Sequence, residues 1–132
     1  MRITLSGRGG AAAPPLVLSA GLGGLGSFWL PQLDALRARC RVVSYDQRGT
    51  GRSADSLPAG YSMQQMADEL IAALDAQGID KFVLVGHALG GLIGLQLALD
   101  HPQRLLGLVV VNGWLQLDAH TRRCFRVRQD LL

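Results

Sequence analysis

The sequence predicts an α/β domain, a mostly parallel sheet flanked by helices. Three observations predict it. Short apolar runs at residues 3–5, 16–19, 41–45, 82–85 and 105–111 alternate with stretches of helical periodicity. The runs at 82–85 and 108–111 are continuously apolar, as strands covered on both faces are. A strand also runs straight into a glycine-rich turn and a helix at Gly86–Gly91.

Taken in order, residues 3–5 and 16–19 read as strands on either side of a Gly/Ala/Pro turn region. A short helix opens near Pro31, because proline fits a first helical turn and breaks an interior. Val42 and Val43 mark the strand at 41–45, and a polar, glycine-rich loop fills 46–60. Ser62 and Gln65 form an S-x-x-Q capping box, with Tyr61 placed to staple it. Met63, Met66, Leu70, Ile71 and Leu74 give that helix its apolar stripe, and Gly78 terminates it. The strand at 82–85 leads to a helix at 89–99 ended by Pro102, and then to the strand at 105–111. Asp118 caps a last helix running toward Leu132. The chain stops inside that helix with its last strand at an edge. We therefore expect a truncated domain: residues 1–132 are the N-terminal portion of a single domain, with 118–132 beginning a cap segment. An unpaired apolar edge also invites self-association.

Composition narrows the function. A chain of 132 residues suits one domain and buries about two-thirds of its unfolded surface without disulfides. At 48% apolar and 17% charged it is neither disordered, collagenous nor a coiled coil. Aromatics at 5% leave little for a nucleic-acid stacking platform. The net charge of +3 is mostly terminal, since nine basic and eight acidic residues precede Asp118. Four arginines then fall within residues 122–128 at helical spacing. With no basic stripe along the chain, no nucleic-acid partner is expected. Cys40 and Cys124 show neither metal-ligand nor C-x-x-C spacing. Pro14 and Pro15 break the one stretch resembling a signal peptide. The uncharged segment 82–99 begins with the strand formers Val83 and Val85, so it is not read as a membrane span. A cytoplasmic protein with no membrane partner is expected.

Two glycine-rich signals compete. Residues 21–26 spell G-x-G-x-x-G after a strand, and Asp46 lies twenty residues beyond Gly26. That spacing suits a dinucleotide site. Pro31, however, would break the helix that must start within those glycines. A dinucleotide-binding oxidoreductase fragment is thus the lesser alternative. The second signal, Val85-Gly86-His87-Ala88-Leu89-Gly90, has the spacing of a nucleophile elbow, a sharp turn holding one strained residue at the sheet's C-terminal edge. A glycine-rich turn without chemistry would read the same way.

Three motifs in order, Ala20-Gly21-Leu22-Gly23-Gly24, the D-x-R-G-x-G-x-S run at 46–53 and the elbow at 86–90, resemble the first half of an α/β-hydrolase-fold protein. The alanine in G-H-A-L-G, the Tyr45–Gly51 run and residues 111–132 are closely similar to the family's pyrimidine-utilisation branch. That resemblance implies a bacterial hydrolase of carbamate or aminoacrylate in uracil degradation, releasing ammonia. By motif position, the resemblance makes the backbone N–H groups of Leu22 and Leu89 the oxyanion donors. Ala88 takes the nucleophile's place and has no atom that can attack, so no acyl-enzyme can form there. Carbamates and enamines decompose readily, so polarisation and proton delivery suffice for them. No metal and no organic cofactor are expected.

The remaining candidates concern a small-molecule substrate. His87 flanks the elbow, where its ring can reach the pocket mouth or lie against the sheet. Trp114 follows the last strand's C-terminal end, where open α/β sheets bind ligands; packing under a cap is its other reading. Arg122 and Arg123 sit in a helix's first turns, against the macrodipole, and suit a small carboxylate or simply a solvated face. Asp46, Arg48, Gly49 and Gly51 read as architectural, and His101 as a C-terminal cap. A non-catalytic fragment that only binds a small metabolite remains the alternative to the enzyme.

Overall fold

The computed structural model describes residues 1–10, 13–53 and 55–131. Ala11 and Ala12 of the expected turn region, and Leu132 at the end of the expected last helix, lie outside the described residues. The strands are β1 (Ile3–Gly7), β2 (Leu16–Ser19), β3 (Arg41–Tyr45), β4 (Phe82–His87) and β5 (Leu105–Val111). The helices are α1 (Leu30–Arg37), α2 (Met63–Asp75), α3 (Leu89–Asp100) and α4 (Ala119–Asp130). One sheet orders the strands β1-β3-β2-β4-β5. β1 runs antiparallel to β3, and every other pair is parallel.

Side-chain alternation along the strands builds two cores. Val17, Val43, Tyr45, Phe82 and Leu84 face one side, where they meet Leu70, Ile71 and Leu74 of α2 and Ile93 and Leu97 of α3. Leu18 and Val42, one residue out of step, meet Trp29 and Leu33 on the other. Both faces of β2, β3 and β4 are covered, which is why the run at 82–85 is continuously apolar. The run at 108–111, expected to be covered likewise, instead leaves Val109, Val110 and Val111 exposed because β5 lies at the edge of the sheet. The segment 82–99 divides into β4 and α3, and no helix among the described residues is long and apolar enough to cross a membrane.

Local chemistry fixes the ends. The capping box is formed: Gln65 N–H donates to Ser62 Oγ at 3.2 Å, and Ser62 N–H to Gln65 Oε1 at 2.9 Å. Tyr61, expected as a staple, is fixed through its hydroxyl, which donates to Glu69 Oε2 at 2.7 Å. Pro31 lies in the first turn of α1, behind a short 3-10 helix at Gly26–Trp29. Asp118 caps α4 by accepting from Thr121 N–H at 2.7 Å, a bond that also holds its carboxyl below the usual range. His101 occupies the C-cap of α3.

β5 is an edge strand, and Leu106, Val109, Val110 and Val111 are exposed on it. α4 buries none of its residues and meets the preceding loop where Phe125 lies 6.0 Å from the Trp114 ring.

Candidate active site

The elbow between β4 and α3 is built from close main-chain approaches. Ala88 adopts φ 48° and ψ −115°, a conformation that costs an L-residue about 1–3 kcal/mol. Glycines flank it for lack of room. A Cβ on Gly86 would lie 2.3 Å from the Gly90 carbonyl oxygen, and one on Gly90 would lie 2.2 Å from the Ser19 carbonyl oxygen. Ala88 is held from both sides. Its N–H donates to the Val111 carbonyl of β5 at 2.9 Å, and its carbonyl accepts from Gly91 at 2.9 Å and Leu92 at 3.2 Å. Leu89 is therefore the first helical residue, with an N–H that the helix itself does not pair.

Beside the elbow, the Gly21–Gly26 loop is clasped by the loop that follows β3. Asp46 is buried, and its Oδ1 accepts from Gly26 N–H at 2.8 Å while its Oδ2 accepts from Arg52 N–H at 3.0 Å. Burial pushes this carboxyl up. The Arg52 and Gly26 backbone donors and the Arg52 guanidinium outweigh that and hold it below the usual range. Gln47, also buried, donates from Nε2 to the Ala20 carbonyl at 2.9 Å and from its backbone N–H to Gly24 at 2.9 Å. Together these bonds anchor Ala20, Gly24 and Gly26, on either side of Leu22, to the loop after β3. The architectural reading of the run holds: Gly49 and Gly51 turn at φ 82° and 47°, and Arg48 bridges to Glu69 at 2.6 Å. Because Asp46 is spent on Gly26, it cannot serve a ribose. α1 begins beyond the last glycine with Pro31 in its first turn, and only the short 3-10 helix at Gly26–Trp29 meets the loop, so no α-helix starts within the glycines as the dinucleotide alternative requires.

Nothing in the local sequence marks Gln47, because its partners lie more than twenty residues away. Beneath the site Ser19 Oγ and Tyr45 Oη share a buried hydrogen bond of 2.6 Å, and burial pushes the Tyr45 phenol up to about 12.

An open cleft of about 360 Å³ lies over this junction, lined among others by Gly21, Leu22, Leu25, Phe28, His87 and Ala88. Of the described residues lining it, His87 is the only ionisable one. Its ring stacks on Phe28, with centroids 4.7 Å apart and planes 26° apart. The structure thus gathers Leu22, His87 and Ala88 around one cavity, with Leu89 directly behind. Trp114, Arg122 and Arg123 are placed elsewhere. Trp114 is half-buried against Phe125, and both arginines line a separate exposed concavity on α4 with His120 and Arg126. Arg122 donates to the Leu117 carbonyl at 3.2 Å. Among the described residues, no cluster of three or more His, Cys, Asp or Glu is placed to hold a metal ion.

At the position the elbow holds in strain, Ala88 offers no nucleophilic atom. Comparison with known proteins agrees with the architecture. The sequence matches the family described as alpha/beta hydrolase fold over residues 14–129. It is 59% identical over all 132 residues to a Klebsiella pneumoniae (strain 342) protein named "Putative carbamate hydrolase RutD", covering 50% of that protein. A Serratia proteamaculans (strain 568) protein of the same name is 60% identical over 132 residues, with 49% of it covered. The chain thus spans about half the length of these relatives. A hydrolase from Pseudomonas aeruginosa PA01 superposes with a TM-score of 0.81 at 35% identity, covering 98% of this chain and 48% of that one.

Proposed function

The chain belongs to the alpha/beta hydrolase fold family, and on that premise we propose that the protein hydrolyses a carbamate or aminoacrylate from uracil degradation. It releases ammonia without a serine nucleophile. The observation that carries this reading is Ala88, which keeps the strained elbow conformation at the nucleophile's position yet has no attacking atom. Such a site suits a substrate whose C–N bond breaks once a proton is placed correctly, and suits a robust ester or amide poorly. The relatives named as carbamate hydrolases support the same substrate class.

In this reading the Leu22 and Leu89 N–H groups hold the substrate's carboxylate or carbamate oxygens. A carbamate nitrogen takes up a proton and the C–N bond breaks, giving ammonia and carbon dioxide. An aminoacrylate takes a proton on carbon, water adds to the resulting iminium carbon, and ammonia leaves, giving an aldehyde. His87 contacts the substrate from the cleft wall. The reading invokes neither metal nor organic cofactor and places the reaction in the cytoplasm.

The test is ammonia release from freshly generated aminoacrylate or carbamate, measured against the spontaneous rate. We expect release above that rate, saturating with substrate. Saturable binding with no added release would overturn the reading in favour of a protein that only binds a small metabolite.

A further inference from the structure

His87 lines the cleft, yet its Nδ1 is buried and has no hydrogen-bond partner among the described residues. Gly21 packs beside that nitrogen, since a Cβ built on it would lie 3.0 Å from Nδ1. An N–H at Nδ1 would find no acceptor among the described residues, and a buried donor without an acceptor is costly. A buried lone pair without a donor is the better tolerated of the two, so the ring proton is better placed on Nε2. The Phe28 ring, stacked on one face of the imidazole, fixes its plane.

We propose that His87 is locked as the Nε2–H tautomer, and that Nε2–H is a side-chain donor to a small planar carboxylate or carbamate in the cleft. With Nδ1 turned toward Gly21, Nε2 is the ring nitrogen that reaches the cavity. The described lining carries no Asp, Glu, Lys or Arg, so an anion there has His87 and backbone N–H groups as its donors. Charge-assisted bonds from neutral donors to a carboxylate are among the stronger hydrogen bonds. Ala88 contributes by being small: its methyl leaves the space beside the ring open to the ligand.

This inference takes its ligand class from the hydrolase reading, so the test reads binding without turnover. Acrylate, a stable planar carboxylate, is titrated into protein carrying 15N-labelled histidine. In the free protein the His87 Nδ1 resonance should be of the unprotonated type and Nε2 of the protonated type. Acrylate should move the Nε2 signal along the same saturation curve as binding. His87→Phe keeps the stack and removes the donor, and should raise the acrylate Kd about tenfold. His87→Gln returns an N–H near the Nε2 position and should restore affinity to within roughly threefold. A protonated Nδ1 in the free protein would overturn the proposal. So would a His87→Phe affinity within about twofold of the parent in a protein with unchanged circular dichroism. If acrylate binds through Nε2 while no ammonia is released, the hydrolase reading fails and this inference stands. Release with an indifferent His87 would do the reverse.

Discussion

Gly90→Ala should cost about 4 kcal/mol or more, enough to leave the protein largely unfolded at room temperature. The added Cβ would lie 2.2 Å from the Ser19 carbonyl oxygen and 2.7 Å from that of Ala20. Both obstacles are main chain at the end of β2, and the glycine is anchored in the first turn of α3. No flexible side-chain end is present to give way, so relief requires helix and sheet to separate. Separation would also free Ala88 from its bond to Val111 and open the core around Ile93 and Leu97. Gly10→Ala is the control, because none of the described residues beyond its chain neighbours comes within 4 Å of its added Cβ. Urea denaturation should place Gly10→Ala beside the parent and show no cooperative transition for Gly90→Ala. A Gly90→Ala midpoint close to the parent's would mean that the elbow is not closed as described.

Asp46→Ala should destabilise the protein by about 2–3 kcal/mol near neutral pH, because it orphans the buried Gly26 N–H and the part-buried Arg52 N–H. The Arg52 guanidinium adds little, being mostly exposed and 3.4 Å away. The effect carries a pH signature. The carboxyl of Asp46 is held below its unfolded value, so its contribution is complete above that value, about pH 4. The contribution is then lost as pH falls through the folded value. The gap between parent and Asp46→Ala midpoints should therefore be widest at pH 7 and narrow progressively below about pH 4. A gap of the same size at both ends would show that the carboxylate charge is not what the Gly26 and Arg52 donors bind.

The parts of the fold legible in the sequence are those whose cause is local. Ser62 with Gln65, Pro31 in a first turn, Asp118 before α4 and the paired valines of β3 each act on neighbours within a few residues. The elbow was legible too, because its glycines answer to a clash that any strand-to-helix turn of this kind creates. The layers of the site were not. Asp46 has the spacing of a ribose ligand, and only the fold shows its carboxylate turned onto Gly26. Gln47 sits among residues that read as loop, and its role depends on carbonyls of Ala20 and Gly24 brought in by the sheet. Nothing in its own neighbourhood marks Phe28, and its packing on His87 arises from two segments that pattern cannot join. The arginines of α4 are an instance of the opposite limit. Their spacing is plain, but α4 buries nothing against the sheet, so spacing alone did not bring them to the cleft.

The measurement closest to the central claim is the intact mass of the protein after treatment with a serine-directed fluorophosphonate, with ammonia release followed in the same sample. Hydrolysis without an elbow nucleophile predicts an unchanged mass and undiminished release, because Ala88 offers nothing to phosphonylate. A stoichiometric adduct accompanied by loss of ammonia release would contradict the account, since it would place an activated nucleophile in the working site.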